Sequence, residues 1–303
     1  MITTVLKTGQ PCVACSGALK FFGNRGTYAY GVCESCGTIQ LAPFPTAAEL
    51  DRAYADDYAT SGHYGTDPER IYSASRPFYA AVLDTLRARV AAPAAVLDFG
   101  CGWGGMCREL AGAGYDALGL DYPSESLNHC RSLGLTVTDM PLEAMVQRDE
   151  RFSAILMVTV LEHLHDHAET LARLRGLLVP GGVIIVLIPT AHLFGPLAAA
   201  IRRLRRSSEI PALNTTFCPP WHTAIVSLRG MQHLARRAGL EVMQVRAAPS
   251  GAGRGLIGAI QRMSTWISTA GFRAFGPRWP LVLNHIFVLG HEAANATSTV
   301  GNR

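Results

Sequence analysis

Four of the eight cysteines are paired by spacing, Cys12 with Cys15 and Cys33 with Cys36, with two residues between the members of each pair. Each pair places two thiolates on a tight knuckle, and two knuckles supply the four soft ligands of a tetrahedral Zn2+. Gly17 and Gly37 follow the knuckles and are expected to help the backbone turn around the metal. Four sulfur ligands leave no open position for substrate, so the site reads as structural. Cys101, Cys107, Cys130 and Cys218 show no ligand spacing and read as ordinary buried residues. The second chemical stretch is AAVLDFGCGWGG, residues 94–105. Its Ala95-Val96-Leu97 reads as a short buried strand ending on Asp98. Gly100, Gly102 and Gly104 then alternate, and a helical pattern begins at once with Met106 and Leu110. A strand running through a glycine turn into a helix is the nucleotide-binding corner of a doubly wound sheet. Gly100, Gly102 and Gly105 also satisfy G-x-G-x-x-G, so a dinucleotide enzyme is the competing reading. Asp98 argues against it, because a carboxylate there repels a pyrophosphate and suits a cationic, phosphate-free ligand. Asp121 closes the next strand-like segment, where an acid can hold both hydroxyls of a ribose.

The run from Asp98 to Gly104 reads D-x-G-x-G-x-G and resembles the class I S-adenosylmethionine (SAM) methyltransferases. The resemblance implies cofactor contacts from Asp98, Gly100, Cys101, Gly102 and Gly104, from Asp121 and Tyr122, from Asp139 and Met140, and from Val158. Asp139 would accept the adenine amino protons; a helix N-cap is its alternative role. Val160-Leu161-Glu162-His163-Leu164, followed later by Leu177-Leu178-Val179-Pro180-Gly181-Gly182, is similar to the branch with ubiquinone-type and other small-molecule enzymes. A cysteine ribbon ahead of such a domain also resembles the sugar C-methyltransferases, although the chain has no room for their additional C-terminal domain. An oxygen or carbon nucleophile benefits from a base that takes its proton. His163 is the first candidate and His222, in Pro219-Pro220-Trp221-His222, the second. His165 and His167 lie near enough in sequence to raise a metal site there.

These groups need a scaffold, and the chain reads as α/β: a doubly wound, seven-stranded Rossmann-like methyltransferase sheet behind a small zinc ribbon. The expected division is a ribbon over residues 1–45, linker and capping helices over 46–92, a SAM-dependent domain over 93–291 and a disordered tail over 292–303. Residues 27–32 are expected as a ribbon strand and residues 47–58 as a short helix. Tyr54, Tyr58, His63 and Tyr64 are expected to form an aromatic seam or a cap on the cofactor pocket. A helix follows over 69–90, with Ile71, Phe78, Val82, Leu83 and Leu86 inward. Ser124 is read as the cap of a helix reaching Leu133. Residues 135–138, 152–158, 183–188, 240–245 and 284–289 read as strands. Two insertions, 191–221 and 249–280, lie where substrate lids sit. The first contains an amphipathic LFGPLAAAIRRLRR, with Phe194, Leu197, Ile201 and Leu204 opposed to Arg202, Arg203, Arg205 and Arg206.

Twenty-seven basic residues, nearly all arginine, against 23 acidic ones give a net charge of +4, which demands no nucleic-acid partner. No signal-peptide core and no run of eighteen apolar residues is present, so a cytoplasmic location is expected. The expected activity is methyl transfer from SAM to oxygen or carbon of a small-molecule or glycan-precursor acceptor. That acceptor includes a sugar nucleotide or a lipid-linked glycan, and the arginine-rich helix would meet its diphosphate or make peripheral membrane contact. An rRNA base methyltransferase and a non-catalytic SAM-binding scaffold are the alternatives. The first lacks the Asn/Asp-Pro-Pro-aromatic motif after the fourth strand, where Met157-Val158-Thr159-Val160 stands.

Overall fold

The computed structural model describes residues 9–60, 67–122, 124–211, 216–253 and 255–291. His63, Tyr64 and the tail from Glu292 lie outside them. The N-terminal part contains β1 (Leu19–Arg25), β2 (Tyr28–Cys33) and β3 (Ile39–Leu41), then α1 (Ala47–Thr60) and α2 (Pro68–Arg87). The alternating part follows as β4 (Ala95–Phe99), α3 (Gly105–Gly112), β5 (Asp116–Leu120), α4 (Glu125–Ser132), β6 (Val137–Thr138), α5 (Leu142–Gln147), β7 (Phe152–Val158), α6 (His167–Gly176) and β8 (Leu178–Pro189). The remainder is α7 (Ala191–Arg205), β9 (Ala224–Ile225), α8 (Leu228–Arg237), β10 (Leu240–Ala248), α9 (Gly255–Phe275) and β11 (Asn284–His291).

The main sheet has seven strands in the order β10-β11-β8-β7-β4-β5-β6. All of its pairings are parallel except those of β11, which runs against both β10 and β8. The chain lays β5 and β6 on one side of β4 and then returns to lay β7 and β8 on the other. The switch point therefore lies between the carboxyl ends of β4 and β7, where an open α/β sheet binds its ligand. Alternate residues of the strands feed two cores. Val96, Leu156, Ile185 and Leu187 meet α2 and α3 through Val82, Leu86, Met106 and Leu110. Leu97, Ile155, Met157 and Val186 meet α5, α6 and α8 through Met145, Leu174 and Leu234. Burial on both faces is why β7 after Ser153 and the second half of β8 read as apolar runs.

The ribbon is more extensive than the expected strand. β1, β2, β3 and β9 form a four-stranded antiparallel sheet, the fourth strand being donated from beyond residue 221. Ala191, Phe194 and Ala198 of α7, the start of the first insertion, pack on this small sheet with Phe22, Tyr30 and Ile39. The expected apolar stripe is thereby corrected: Leu204 is exposed, and Arg202 turns back over the rings of Phe21 and Phe22. At the first knuckle the left-handed residue is Ser16 (φ 60°), not Gly17. Gly17 is small for another reason, since a Cβ there would stand 3.1 Å from Cys33 Sγ. Ser124 occupies its cap position but pairs its hydroxyl with Ser126 at 2.7 Å instead of capping α4. Cys218 is half-buried, unlike the other three cysteines outside the knuckles.

Candidate functional site

Gly100, Gly102 and Gly104 all take positive φ, 78°, 50° and 76°, so the loop after β4 turns in a way other residues resist. A Cβ on Gly100 would stand 2.6 Å from Val160, and one on Gly104 would stand 2.7 Å from Cys130 Sγ. Gly102 faces open space, leaving bare main chain toward a ligand. Its N–H donates to Asp121 Oδ2 at 2.6 Å, and Tyr122 N–H donates to Oδ1 at 2.8 Å. The Asp121 carboxylate thus braces the loop while each oxygen retains a lone pair for a hydroxyl donor. Its pKa is raised, by burial first of all. Asp98 is buried at the end of β4, and desolvation pushes its pKa up to about 7 against a hydrogen bond donated by Cys107 Sγ at 3.4 Å. A buried carboxylate without a cation beside it is costly, and a cationic ligand relieves that cost.

The other corner residues divide. Tyr122 is exposed, Val158 ends β7 half-buried, and Asp139 follows β6 on the same sheet edge. Asp139 is not a helix cap, because Pro141 holds that position before α5; its carboxylate lies 3.8 Å from Arg131. Met140 N–H donates to Thr138 Oγ1 at 3.1 Å. The side chain of Cys101 is turned away into a buried cluster with Cys107 and Leu127, and its N–H is used by Leu120 O. Only its remaining backbone can face a ligand.

Across the switch point, β7 is followed by Thr159 at φ 55° and a single 3-10 turn, Leu161–His163. The sharp turn packs Val160 under Gly100, and the candidate base follows three residues on, its N–H bonded to Val160 O. His163 and His222 meet edge to face with centroids 4.7 Å apart. They come from distant parts of the chain, joined because Thr223 N–H and Oγ1 both donate to Glu162 O, at 2.8 and 3.1 Å. His222 Nδ1 lies 2.9 Å from Thr216 O. A carbonyl only accepts, so Nδ1 carries the proton and Nε2 presents its lone pair. The side chain of Glu162, unassigned from sequence, is 1% exposed and neither carboxylate oxygen has a hydrogen-bond partner among the described residues. Burial pushes its pKa up to about 8. Glu162, His163 and His222 each offer a donor atom within 4.8 Å of the others, a set able to share a proton or hold a cation. His165 and His167 are not part of it. They flank Phe44, and burial holds His167 neutral with its pKa lowered to about 4. Tyr54 stands 6.4 Å from His163, centroid to centroid, so this member of the aromatic seam reaches the site.

The four knuckle cysteines converge, with all sulfurs within 4.8 Å of one another. Cys12 Sγ is 3.7 Å from Cys36 Sγ, and Cys15 Sγ is 3.4 Å from Cys33 Sγ. Zinc–sulfur bonds of about 2.3 Å give a tetrahedron with edges of about 3.8 Å, so the donor set fits the ion. The cluster is fastened to α8: Ser227 Oγ donates to Cys36 O at 2.5 Å, and Arg237 donates to Val13 O.

Comparison with known proteins finds methyltransferases. Ubiquinone biosynthesis O-methyltransferase of Methylococcus capsulatus is 37% identical over 95 residues, covering 29% of this chain and 40% of that protein. The Chelativorans enzyme of the same description is 29% identical over 140 residues, covering 44% and 48%. The chain thus matches less than half the length of these relatives. Among solved structures, 1,6-didemethyltoxoflavin-N1-methyltransferase of Burkholderia thailandensis shares 17% identity at a TM-score of 0.49, covering 89% of this chain and 98% of its own. Magnesium protoporphyrin IX methyltransferase of Synechocystis shares 14% at a TM-score of 0.47, covering 81% and 95%. A methyltransferase-domain model matches residues 72–245, more than half of the chain and the whole span from α2 through the glycine loop and the histidine turn into β10. The sequence match thus covers the elements that build the cofactor corner, and the chain belongs to the methyltransferase domain family.

Proposed function

We propose that the protein transfers the methyl group of SAM to oxygen or carbon of a small-molecule acceptor. The observation that carries this reading is the juxtaposition of an open glycine loop, the buried Asp98, the half-buried Asp121 and a histidine pair at one switch point. When bound, SAM supplies an electrophilic methyl on a sulfonium, a good leaving group. Asp98 offsets its positive charge, Asp121 accepts from the ribose hydroxyls, and Asp139 faces the adenine end. Met140, Tyr122 and Val158 border the same groove. His163 takes the acceptor's proton as the bond to carbon forms, and His222 and Glu162 hold the imidazole and the charge it gains. An anionic acceptor such as a sugar nucleotide or a lipid-linked glycan would be met by the exposed Arg203, Arg205 and Arg206. We also infer one structural Zn2+ on Cys12, Cys15, Cys33 and Cys36, which braces the small sheet and leaves catalysis to the main one.

Incubation with isotopically labelled SAM, followed by mass spectrometry of metabolite pools, should reveal a methylated product. Binding of SAM with no labelled product from any pool would instead support the scaffold reading. Calorimetry carries a second expectation. Because burial raises Asp98, the free protein holds a proton there below about pH 7. A cation favours the ionised form and lowers that pKa, so binding releases the proton and affinity should rise with pH through this window, then level off. Asp98→Asn should flatten the dependence. Asp121→Ala should weaken SAM by about 1.5–3 kcal/mol; an unchanged affinity would remove Asp121 from the ribose role.

A further inference from the structure

The helix α9, in the second insertion, is built inside out for a protein surrounded by water. At about 100° per residue, Leu256, Ile260, Met263 and Ile267 stack along one side, with Trp266 at its border. That side faces outward: Leu256 is 77% exposed, Met263 58% and Trp266 70%. The inward side is mostly small and hydroxylic, with Phe272 against His285 toward its end. Ser268 is 1% exposed, Thr265 Oγ1 accepts from Ser250 N at 3.0 Å, and Ser264 pairs with Ser250 Oγ at 3.3 Å. An amphipathic helix normally turns its apolar stripe to the core and its hydroxyls to water. Here the polar side docks the helix on the domain and the apolar side is left facing out.

The charge around it is one-sided. Residues 242–291 contain five arginines and no aspartate, glutamate or lysine. Arg262 lies at the edge of the stripe beside Trp266, and both line a cleft of about 460 Å3 with Pro249, Gly251 and Thr265. An indole and a guanidinium flanking an aliphatic face suit the boundary between acyl chains and phosphate headgroups. With 21 residues the helix is about 31 Å long, and no helix among the described residues is long and apolar enough to cross a membrane. It can lie in the plane of a bilayer. A second copy is a poorer occupant, because two acid-free, arginine-edged faces would repel each other. Topology adds the direction. β10 runs parallel to β8 and β7, since β11 opposes both β10 and β8. The chain therefore enters α9 from the carboxyl edge of the sheet, the edge that holds the glycine loop and the histidine pair.

We propose that α9 is an in-plane anchor for an anionic phospholipid surface, holding the ligand edge of the sheet near the bilayer. Binding itself stands apart from methyl transfer; the corollary that the acceptor is drawn from the lipid phase rests on the function proposed above. The test is flotation of the full chain with vesicles of phosphatidylcholine, with and without phosphatidylglycerol. The protein should float with the anionic vesicles and stay behind with the neutral ones, with binding weakened by added salt. Ile260→Glu with Met263→Glu should reduce partitioning by at least about tenfold, without changing SAM affinity or the melting temperature. Both sites are exposed, so the fold should tolerate the charges. A wild-type chain that floats with neither vesicle, or a double variant that floats as well as wild type, overturns the proposal. So does an α9-dependent dimer in sedimentation without vesicle binding, which assigns the face to a second copy. Vesicle binding without methyl transfer would leave the anchor standing and remove only the enzymatic reading.

Discussion

His163→Ala should lower kcat by about 100- to 10,000-fold, the range of a lost general base, while leaving SAM affinity within about twofold of wild type. The separation is expected because His163 follows Val160 on the histidine turn, whereas the proposed cofactor contacts lie on the glycine loop. His222→Ala should cost less, since it removes the neighbour 4.7 Å away and leaves the imidazole of His163 in place. His222→Gln keeps a polar side chain beside His163 and should recover part of the loss if the role is positioning. The pH–rate profile is the decisive readout, because a base leaves an acidic limb that a packing residue does not. A His163→Ala enzyme with wild-type kcat would reassign the pair to structure. Proton removal would then pass to another group or prove unnecessary for the acceptor.

Cys33→Ser should take zinc from about one per chain to near none, and its effect should spread further than the ribbon. In small zinc domains the metal contributes about 10–16 kcal/mol of apparent binding energy, so folding and binding are one event. The small sheet here includes β9, and residues just before β9 carry His222. Loss of the metal should therefore raise hydrogen exchange over residues 19–41 and again over 216–226, while β4, β7 and β8 stay protected. Activity should fall in parallel although no ligand of the metal touches the switch point. A variant that keeps its zinc and its protease resistance would show that the thiols are not the ligands. One that loses zinc yet keeps full activity would show that β9 is held by α8 and the main core alone.

The legible part of this protein was local. Cys12-x2-Cys15 and Cys33-x2-Cys36 declare a four-sulfur cluster because metal ligation imposes a short chain span on each knuckle. Asp98 through Gly104 declares a ligand corner because only glycine tolerates that succession of left-handed turns. β7, apolar at nearly every position, declares a strand buried on both faces. The reading failed where a neighbour, not the period, chose the outcome. Leu204 lies on the periodic apolar stripe of α7, yet the small sheet packs only Ala191, Phe194 and Ala198 and leaves it in the open. Cys101 sits inside the signature and was legible as a buried cysteine, its thiol packing with Cys107 in the core.

What the sequence by itself determined is the chemistry available: four thiolates at ligand spacing, a carboxylate–glycine corner, and a histidine just past the fourth strand of the alternating part. Each depends on residues close together in the chain, whose geometry is set by bond lengths and backbone sterics. Only the tertiary structure decided what those groups face. β9, two residues long, carries no periodic signal, yet its pairing with β3 ties the zinc ribbon to the segment that delivers His222. Glu162 is an ordinary acid in sequence and becomes a carboxyl with a raised pKa only through burial in the packed fold, where Thr223 also donates to its backbone carbonyl. Burial and long-range hydrogen bonding are properties of packed neighbours, and no local pattern of residues encodes them.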